Sequence, residues 1–139
     1  MAKSKSGLFL MELIIAICFF AVASAICVQL FASAYTISRR GEGMQMAVMH
    51  SQSAIAAFRH TNADINAMAR FLDGTISGNE IIVSFDDNWI QTNINPRYIM
   101  TIRIDTSEAL ALADIHVYDN HMNEYLYYIQ VLKYLGISR

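Results

Sequence analysis

A long apolar segment near the start of the chain, SGLFLMELIIAICFFAVASAICVQLFASAY (residues 6–35), limits what this protein can fold into. Residues 8–35 contain no Gly or Pro, and Glu12 is their only formal charge. As a helix these residues would extend about 42 Å, against a hydrocarbon core of about 30 Å. The segment is long enough to span a membrane. The position of Glu12 needs an explanation, because a charge at mid-membrane costs roughly 2.5 to 3.5 kcal/mol.

Three interpretations of this segment differ in how they treat Glu12. A secretory signal peptide fits the basic residues at the start and small-residue sites such as Ala21-Val22-Ala23, but the apolar run continues past those sites. A plain single-span anchor explains the length and leaves Glu12 unpaired. In the third interpretation the chain is cut between Gly7 and Leu8, ahead of the apolar run, so the helix stays attached.

Only the third interpretation supplies a cation for Glu12. Cleavage after Gly7 would create a charged α-amine on Leu8, four residues from Glu12. Within one chain this pairing is awkward, but in a bundle Glu12 of one subunit could meet the Leu8 amine of its neighbour inside lipid. Each charge would offset the desolvation of the other, and the pair would set the register of assembly.

This combination of features resembles the type IV prepilin signature, which is shared by pilins and by the pseudopilins of type II secretion and competence systems. The resemblance covers residues 1–35 of 139, with a short basic leader, a glutamate fifth from the cut and an uninterrupted apolar helix. It implies cleavage and N-methylation by a prepilin peptidase, with Gly7 before the cut, Leu8 as the methylated terminus and Glu12 as the assembly residue. It also implies other pilin-like subunits and an inner-membrane assembly platform as partners, and we expect no cofactor.

The chain departs from the family pattern in three ways. Leu8 stands where phenylalanine is commonest. The span lacks the glycine and proline that many major pilins carry, which favours a minor pilin or pseudopilin. The only cysteines, Cys18 and Cys27, lie within the apolar segment, so the cysteine pair that closes the C-terminal loop of many such pilins is missing. About 13 Å apart along one helix, these two are too distant for an intrachain bridge.

The leader also predicts the orientation, since it must reach the cytoplasmic active site of the peptidase. The positive-inside count does not decide it, because Lys3 and Lys5 on one side balance Arg39 and Arg40 on the other. We therefore expect a cytoplasmic N-terminus, a single span in the cytoplasmic membrane and an extracytoplasmic C-terminal domain, followed by incorporation into a pilus or pseudopilus.

The residues after the span predict a second helical segment. Gly41 and Gly43 suggest a bend or soft spot, since each glycine costs about 1 kcal/mol in a helix. Apolar residues then recur at helical spacing up to Leu72, and Asp73-Gly74 supplies a stop. The stripe consists of Met44, Val48, Ile55, Phe58, Ile65, Met68 and Leu72.

From Glu80 onward the hydrophobic period changes to two, which is typical of strands. Four alternating runs predict a four-stranded antiparallel meander packed on the helical stripe: Ile81, Val83 and Phe85; Tyr98, Met100, Ile102 and Ile104; Ala113, Ile115 and Val117; and Tyr125, Tyr127, Ile129 and Val131. The fold class is therefore α+β and pilin-like. The predicted organisation is a leader (1–7), a membrane and assembly helix (8–35), its amphipathic continuation (36–72) and a sheet head (73–139).

No residue pattern predicts an enzyme. The loop Asp86-Asp87-Asn88 could offer oxygen ligands to calcium, but its spacing matches no EF-hand and favours a solvated turn. His116, Asp119 and His121 could approach one another around a hairpin, yet a metal site needs three or four convergent ligands and a supporting shell. His50 and His60 are ten residues apart, a spacing that does not place them on one face of a helix. We therefore expect both to be ordinary polar positions.

Charge and aromatic content bear on partners. Beyond Tyr35, acidic residues outnumber basic ones by 11 to 8, which argues against nucleic-acid binding through a basic patch. Tyrosines crowd both faces of the last predicted strand, so one face could serve as a subunit contact or binding patch. Lys133 would blunt that strand if it lay at a sheet edge.

Two functions follow as hypotheses. The first is a pilin-like structural subunit, a minor pilin or pseudopilin, assembled through its N-terminal helix into a type IV pilus, a type II secretion pseudopilus or a DNA-uptake pseudopilus. The alternative is a single-span, membrane-anchored extracytoplasmic binding protein that does not polymerise.

Overall fold

The computed structural model describes the backbone of residues 2–136 and the side chains of residues 4–136. Within them lie two helices and then five strands: α1 (Ala2–His60), α2 (Ile65–Leu72), β1 (Thr75–Ser77), β2 (Glu80–Phe85), β3 (Tyr98–Thr106), β4 (Leu110–Asp119) and β5 (Glu124–Tyr134). Met1 and the side chains of Ala2 and Lys3, which belong to the predicted leader, lie outside the described residues. So do residues 137–139 of the predicted head.

The chain divides into two compact units, Met1–Gly41 and Glu42–Arg139. The first unit is helical throughout its described residues, and nearly all of its described side chains are exposed. The second unit contains the end of α1, together with α2 and the sheet, and holds the hydrophobic core.

The sheet is antiparallel, with strand order β1-β2-β3-β4-β5, and the helical segment of the second unit packs on one face. The α+β layout and the antiparallel meander are thus confirmed, with five strands where about four were expected. The extra strand, β1, has three residues, too few for a period-two pattern to show in the sequence. It pairs with β2 across Gly78, whose φ of 62° suits glycine in a tight turn.

The inward residues of β2, β3 and β4 are those that the alternating pattern predicts. Their burial alternates along each strand, and the pairing keeps inward residues opposite one another, as in Ile81↔Ile102 and Ile102↔Ile115. A one-residue slip would move all of these side chains to the solvent face, so burial fixes the register.

The predicted face of β5 is wrong at its start because of a β-bulge. Val117 pairs with Tyr127, but its neighbour Tyr118 pairs with Tyr125, so Leu126 is an extra residue. Tyr125 therefore lies on the outward face and is 70% exposed, whereas Leu126 and Tyr127 pack against the core. A bulge inverts the alternation beyond it, which a strict period of two cannot anticipate.

The helical region expected as one segment up to Leu72 is divided after His60. Asn62 and Ala63 have positive φ values of 53° and 64°, which ends α1. Asp64 then caps α2, since its carboxylate accepts a hydrogen bond from the backbone N–H of Asn66 at 3.0 Å. Asn and Asp favour such turns because their side chains compete for backbone groups.

Helical structure continues through Gly41 and Gly43, so the expected soft spot is not an interruption of α1. Two glycine penalties are small within a long cooperative helix. A Cβ on Gly43 would lie 3.8 Å from the Tyr98 hydroxyl and 4.0 Å from Leu126, which are ordinary contact distances.

The core face of α1 is offset from the predicted stripe at its start. Met44 is exposed and Val48 half-buried, while the face is made by small residues followed by Phe58. Small apolar residues carry a weak periodic signal, but they allow helix and sheet to approach closely. The buried set on α1 is Gly43, Ala47, Ser51, Ala54, Ile55, Ala57 and Phe58.

Candidate functional site

The predicted processing and assembly residues lie on an exposed apolar stretch of α1. Space around Gly7 is open, Leu8 is 68% exposed, and Glu12 is exposed among apolar neighbours. By length and composition α1 could cross a membrane, a property that signal sequences share. At the far end of the apolar stretch, Arg39 donates to the Tyr35 hydroxyl at 3.1 Å, and such an aromatic–basic pair suits a membrane interface.

Leu8 and Glu12 are one helical turn apart, so their side chains are neighbours on the same face. Among the described residues, Glu12 has no ion-pair or hydrogen-bond partner. An exposed carboxylate is satisfied in water, but in hydrocarbon it needs a cation or a donor. The arrangement therefore leaves Glu12 available to a group from another molecule.

Cys18 and Cys27 are free thiols on the exposed surface of the same helix. They lie on one element at a separation that excludes a bridge between them. In the structure they are part of the apolar surface and make no disulfide with each other.

His50 lies in an aromatic cluster that the sequence interpretation missed. Its ring is 4.4 Å from Phe85 and 5.5 Å from Trp89, and Trp89 stacks on Tyr98 at 4.0 Å with an interplanar angle of 11°. Burial lowers the pKa of His50 below its ordinary value, because the charged imidazolium loses hydration. His60, by contrast, is exposed as expected.

Trp89 reaches this cluster because the β2–β3 loop folds back on itself. The Asp86 carboxylate accepts backbone N–H groups from Asn88 at 2.8 Å and Ile90 at 2.9 Å, and Trp89 has a positive φ of 61°. One feature of the sequence indicates this position of Trp89. A single indole in a polar loop is costly to expose, so it tends to pack against a neighbouring surface.

The carboxylates considered for calcium are engaged by donors of the protein itself. Arg97 lies between Asp87 at 3.1 Å and Asp119 at 3.6 Å, and Asp119 is buried. With Asp86 closing the turn, the loop is held by hydrogen bonds and a guanidinium. Within residues 4–136, no group of three or more His, Cys, Asp or Glu side chains is placed to hold a metal ion.

The residues His116, Asp119 and His121 do not converge. Asp119 faces the core side of the sheet, whereas His116 pairs across the strands with Tyr128 on the outward face, with ring centroids 4.7 Å apart. His121 lies in the exposed β4–β5 turn, where its backbone N–H donates to Asp119 at 2.9 Å.

The outward face of the sheet carries an aromatic platform next to a polar row. His116, Tyr118, Tyr125 and Tyr128 make ring contacts with one another, and beside them Arg103 pairs with Glu80 at 3.2 Å. A shallow depression of about 360 Å³ lies between this aromatic platform and the Arg103–Glu80 pair. Both faces of the last strand thus carry aromatics, with Tyr127 inward and the others outward.

Comparison with protein-family models, with curated proteins and with solved structures finds no match to this chain.

Proposed function

We propose that the chain is a pilin-like structural subunit, of the minor pilin or pseudopilin type. In this proposal a prepilin peptidase cuts between Gly7 and Leu8 and methylates the new terminus. Residues 8–35 hold the product in the cytoplasmic membrane and later pack against the same helix of other subunits. The observation that carries the proposal is Glu12, a single unpaired carboxylate in an exposed apolar helix, one turn from Leu8.

The energetics of Glu12 support this assignment over a plain anchor. A simple span gains nothing from an acidic residue near its start and pays its desolvation. A subunit whose neighbour presents an α-amine at Leu8 recovers that cost on assembly, and only in the register that brings the two charges together. N-methylation keeps the amine cationic, so the pairing holds after modification.

The surface of the first unit supports packing between helices. Large apolar side chains from Leu8 to Ile37 are exposed on all sides of α1. Such a surface must be covered by lipid before assembly and by lipid or neighbouring helices afterwards. The partners of this stage are the peptidase, other pilin-like subunits and an inner-membrane assembly platform.

The second unit then forms the extracytoplasmic head. It has its own core and contains no cysteine, so it does not depend on disulfides. Its outward face would be available to neighbours or cargo. The proposal gives it no catalytic role.

Intact-mass and N-terminal peptide analysis of the membrane-extracted protein from its native host is the primary test. The expected product begins at methylated Leu8. A chain that retains Met1–Gly7, or one that begins near Cys27, would overturn the proposal in favour of a plain anchor or an exported protein.

Two variants at Glu12 test assembly separately from processing. Glu12→Ala and the nearly isosteric Glu12→Gln should both insert and be cleaved normally, yet enter the filament at least about tenfold less, since 1.4 kcal/mol of lost pairing corresponds to a factor of ten. Gln29→Ala, at the other strongly polar position of the span, is the matched control and should assemble normally. Normal incorporation of both Glu12 variants would exclude the pairing mechanism.

A further inference from the structure

The depression on the outward face lies over an inner strand of the sheet. Its floor is formed by β3, where Ile99, Thr101 and Arg103 point outward on alternate residues. β3 pairs with β2 on one side and with β4 on the other, so its backbone N–H and C=O groups are engaged by those strands. Only side chains can therefore bind a molecule there. This arrangement excludes strand addition, by which extended peptides bind the edge of a sheet.

The two ends of the depression differ in chemical character. One end is formed by the Arg103–Glu80 pair, and the other by Tyr118 and Tyr125, which lie in the same cross-strand row as Ile99. From Ile99 to Arg103 a strand extends about 13 Å. A ligand of that length meets charged hydrogen-bonding groups at one end and aromatic rings at the other.

The aromatic end is held in place by the protein itself. The Tyr118 hydroxyl donates to the side-chain oxygen of Asn123, and the Tyr118 ring makes an edge contact with Tyr125 at 5.1 Å and 66°. His116 stacks on Tyr128 beside them, with ring centroids 4.7 Å apart. Tyr125 is exposed, and its hydroxyl has no hydrogen-bond partner within residues 4–136. Because these rings are already ordered, a ligand that stacks on them loses little binding free energy to side-chain ordering.

The formal charges that line the depression sum to zero when histidine is counted as neutral. Glu80 and Arg103, 3.2 Å apart, are the one carboxylate and the one guanidinium of the lining. Asp114, opposite Arg103 on β4, instead accepts hydrogen bonds from Tyr128 and Gln130. A phosphate would meet a guanidinium that is already neutralised, and a cation would meet a carboxylate that is already paired. The lining therefore favours a ligand without net charge.

Several hydrogen-bonding groups of the depression remain available to a neutral ligand. A guanidinium has five N–H donors, and among the described residues Arg103 is paired with Glu80 alone. The Thr101 hydroxyl, on the floor, can donate and accept and has no hydrogen-bond partner within residues 4–136. A wholly apolar ligand would bury these groups without partners, which is costly.

We infer that this depression is a binding site for a neutral saccharide. A pyranose ring has C–H groups on its faces and hydroxyls around its edge, so its apolar face can cover Tyr125 while its hydroxyls bond to Arg103, Glu80 and Thr101. The volume of about 360 Å³ lies in the lower part of the range of ligand sites, about 300 to 1,000 Å³. The site belongs to the second unit and does not rest on Glu12, on processing or on assembly.

Calorimetric titration of the full chain tests this site, in a detergent without a sugar headgroup such as dodecylphosphocholine. The probes are cellohexaose and maltohexaose, which present β-linked and α-linked glucose rings. At least one of them should bind saturably. Absence of saturable binding of both sugars would overturn the inference.

Three variants locate the bound sugar. Tyr125→Ala and Arg103→Gln should each weaken binding about tenfold, whereas Tyr125→Phe keeps the ring and should bind within about twofold of the parent. Unchanged fluorescence of Trp89, on the helix side of the sheet, would show that the variants retain the fold.

Tyr134→Ala is the matched control, because Tyr134 is an exposed tyrosine on the same face at the other end of β5. It should bind the sugar as the parent does, and an equal loss in Tyr134→Ala and Tyr125→Ala would contradict the site. If the face instead contacts a second copy of the chain, Tyr125→Ala would dissociate a dimer and leave the heat of sugar addition unchanged. That result would also overturn the inference.

Discussion

The ammonium of Lys133, in the last strand, donates a hydrogen bond to the side-chain oxygen of Asn62, 2.7 Å away, and another to the carbonyl of Arg59. The two partners lie in the last turn of α1 and in the turn that follows it. A cation at that position also interacts favourably with the negative end of the helix dipole. This contact fastens β5 to the helix and explains why Lys133 does not protect the sheet edge.

Removing the ammonium of Lys133 should therefore destabilise the head. Lys133→Met keeps the apolar stem and loses the donor, and we expect the free energy of unfolding to fall by about 1 kcal/mol. The measurement is urea unfolding of the full chain in detergent, monitored by the fluorescence of Trp89, the only tryptophan. Arg70→Met, at an exposed position of α2, is the control and should change stability by less than about 0.5 kcal/mol. Equal losses of stability in both variants would contradict the role of Lys133.

The lowered pKa of His50 predicts a loss of stability in acid. The folded head holds a neutral imidazole, whereas the unfolded chain takes up a proton near the ordinary pKa of 6.5. The contribution of His50 is thus complete above pH 6.5 and is lost as the pH falls towards the lower folded value. Urea midpoints at pH 7.5 and 5.0 measure this, and His50→Phe should show a smaller acid loss than the parent.

His60→Gln is the matched control for that experiment, since His60 is exposed. Its acid loss should equal that of the parent chain. An acid loss that disappears in His60→Gln but persists in His50→Phe would refute the assignment to the aromatic cluster.

The two ion-paired arginines of the sheet region should differ in importance. Arg97 serves Asp119, whose side chain is 4% exposed, whereas Arg103 pairs with Glu80 at a site where the arginine is 58% exposed. Arg97→Gln leaves a buried carboxylate without its cation and is expected to cost about 2 kcal/mol. Arg103→Gln should cost less than about 1 kcal/mol, because solvent screens exposed pairs. Thermal unfolding of both variants measures the two losses of stability. A larger loss of stability in Arg103→Gln than in Arg97→Gln would contradict the prediction.

Two glycines should respond in opposite ways to an added methyl group. A Cβ on Gly74 would lie 2.6 Å from Ile81 Cγ2 and 3.0 Å from Val83 Cγ2, so Gly74→Ala forces the strand to shift and should cost about 1 to 3 kcal/mol. Gly43→Ala meets only ordinary contacts within α1 and should be neutral or stabilise by up to about 1 kcal/mol. Unfolding midpoints of the two variants test the difference, and a stable Gly74→Ala would show that the strand accommodates the methyl.

Local periodicity predicted much of the head. The inward residues of β2, β3 and β4 follow from alternation, and the α+β class follows from a helix-period stripe succeeded by period-two runs. The three residues of β1 were too few to show a pattern. The bulge at Leu126 reverses the alternation, so a strict period of two predicts the wrong face for Tyr125.

The candidate sites also differ in whether their residues are close together in the chain or are brought together by the fold. The roles of Gly7, Leu8 and Glu12 stay predictions from the sequence, and they could be stated at all because these residues belong to one helix and their relation is local. The environment of His50 could not be predicted, since it depends on Phe85 and Trp89 more than thirty residues away and on a loop that folds back over the helix.

The sequence by itself determined the apolar helix, its single carboxylate and the antiparallel succession of β2 to β5, because each rests on residues close together in the chain. Only the tertiary structure decided that Lys133 binds the end of α1 and that its ammonium is therefore held at that end of the helix. Those properties depend on contacts between residues about seventy positions apart, and burial of a shared core, rather than local preference, brings such residues together.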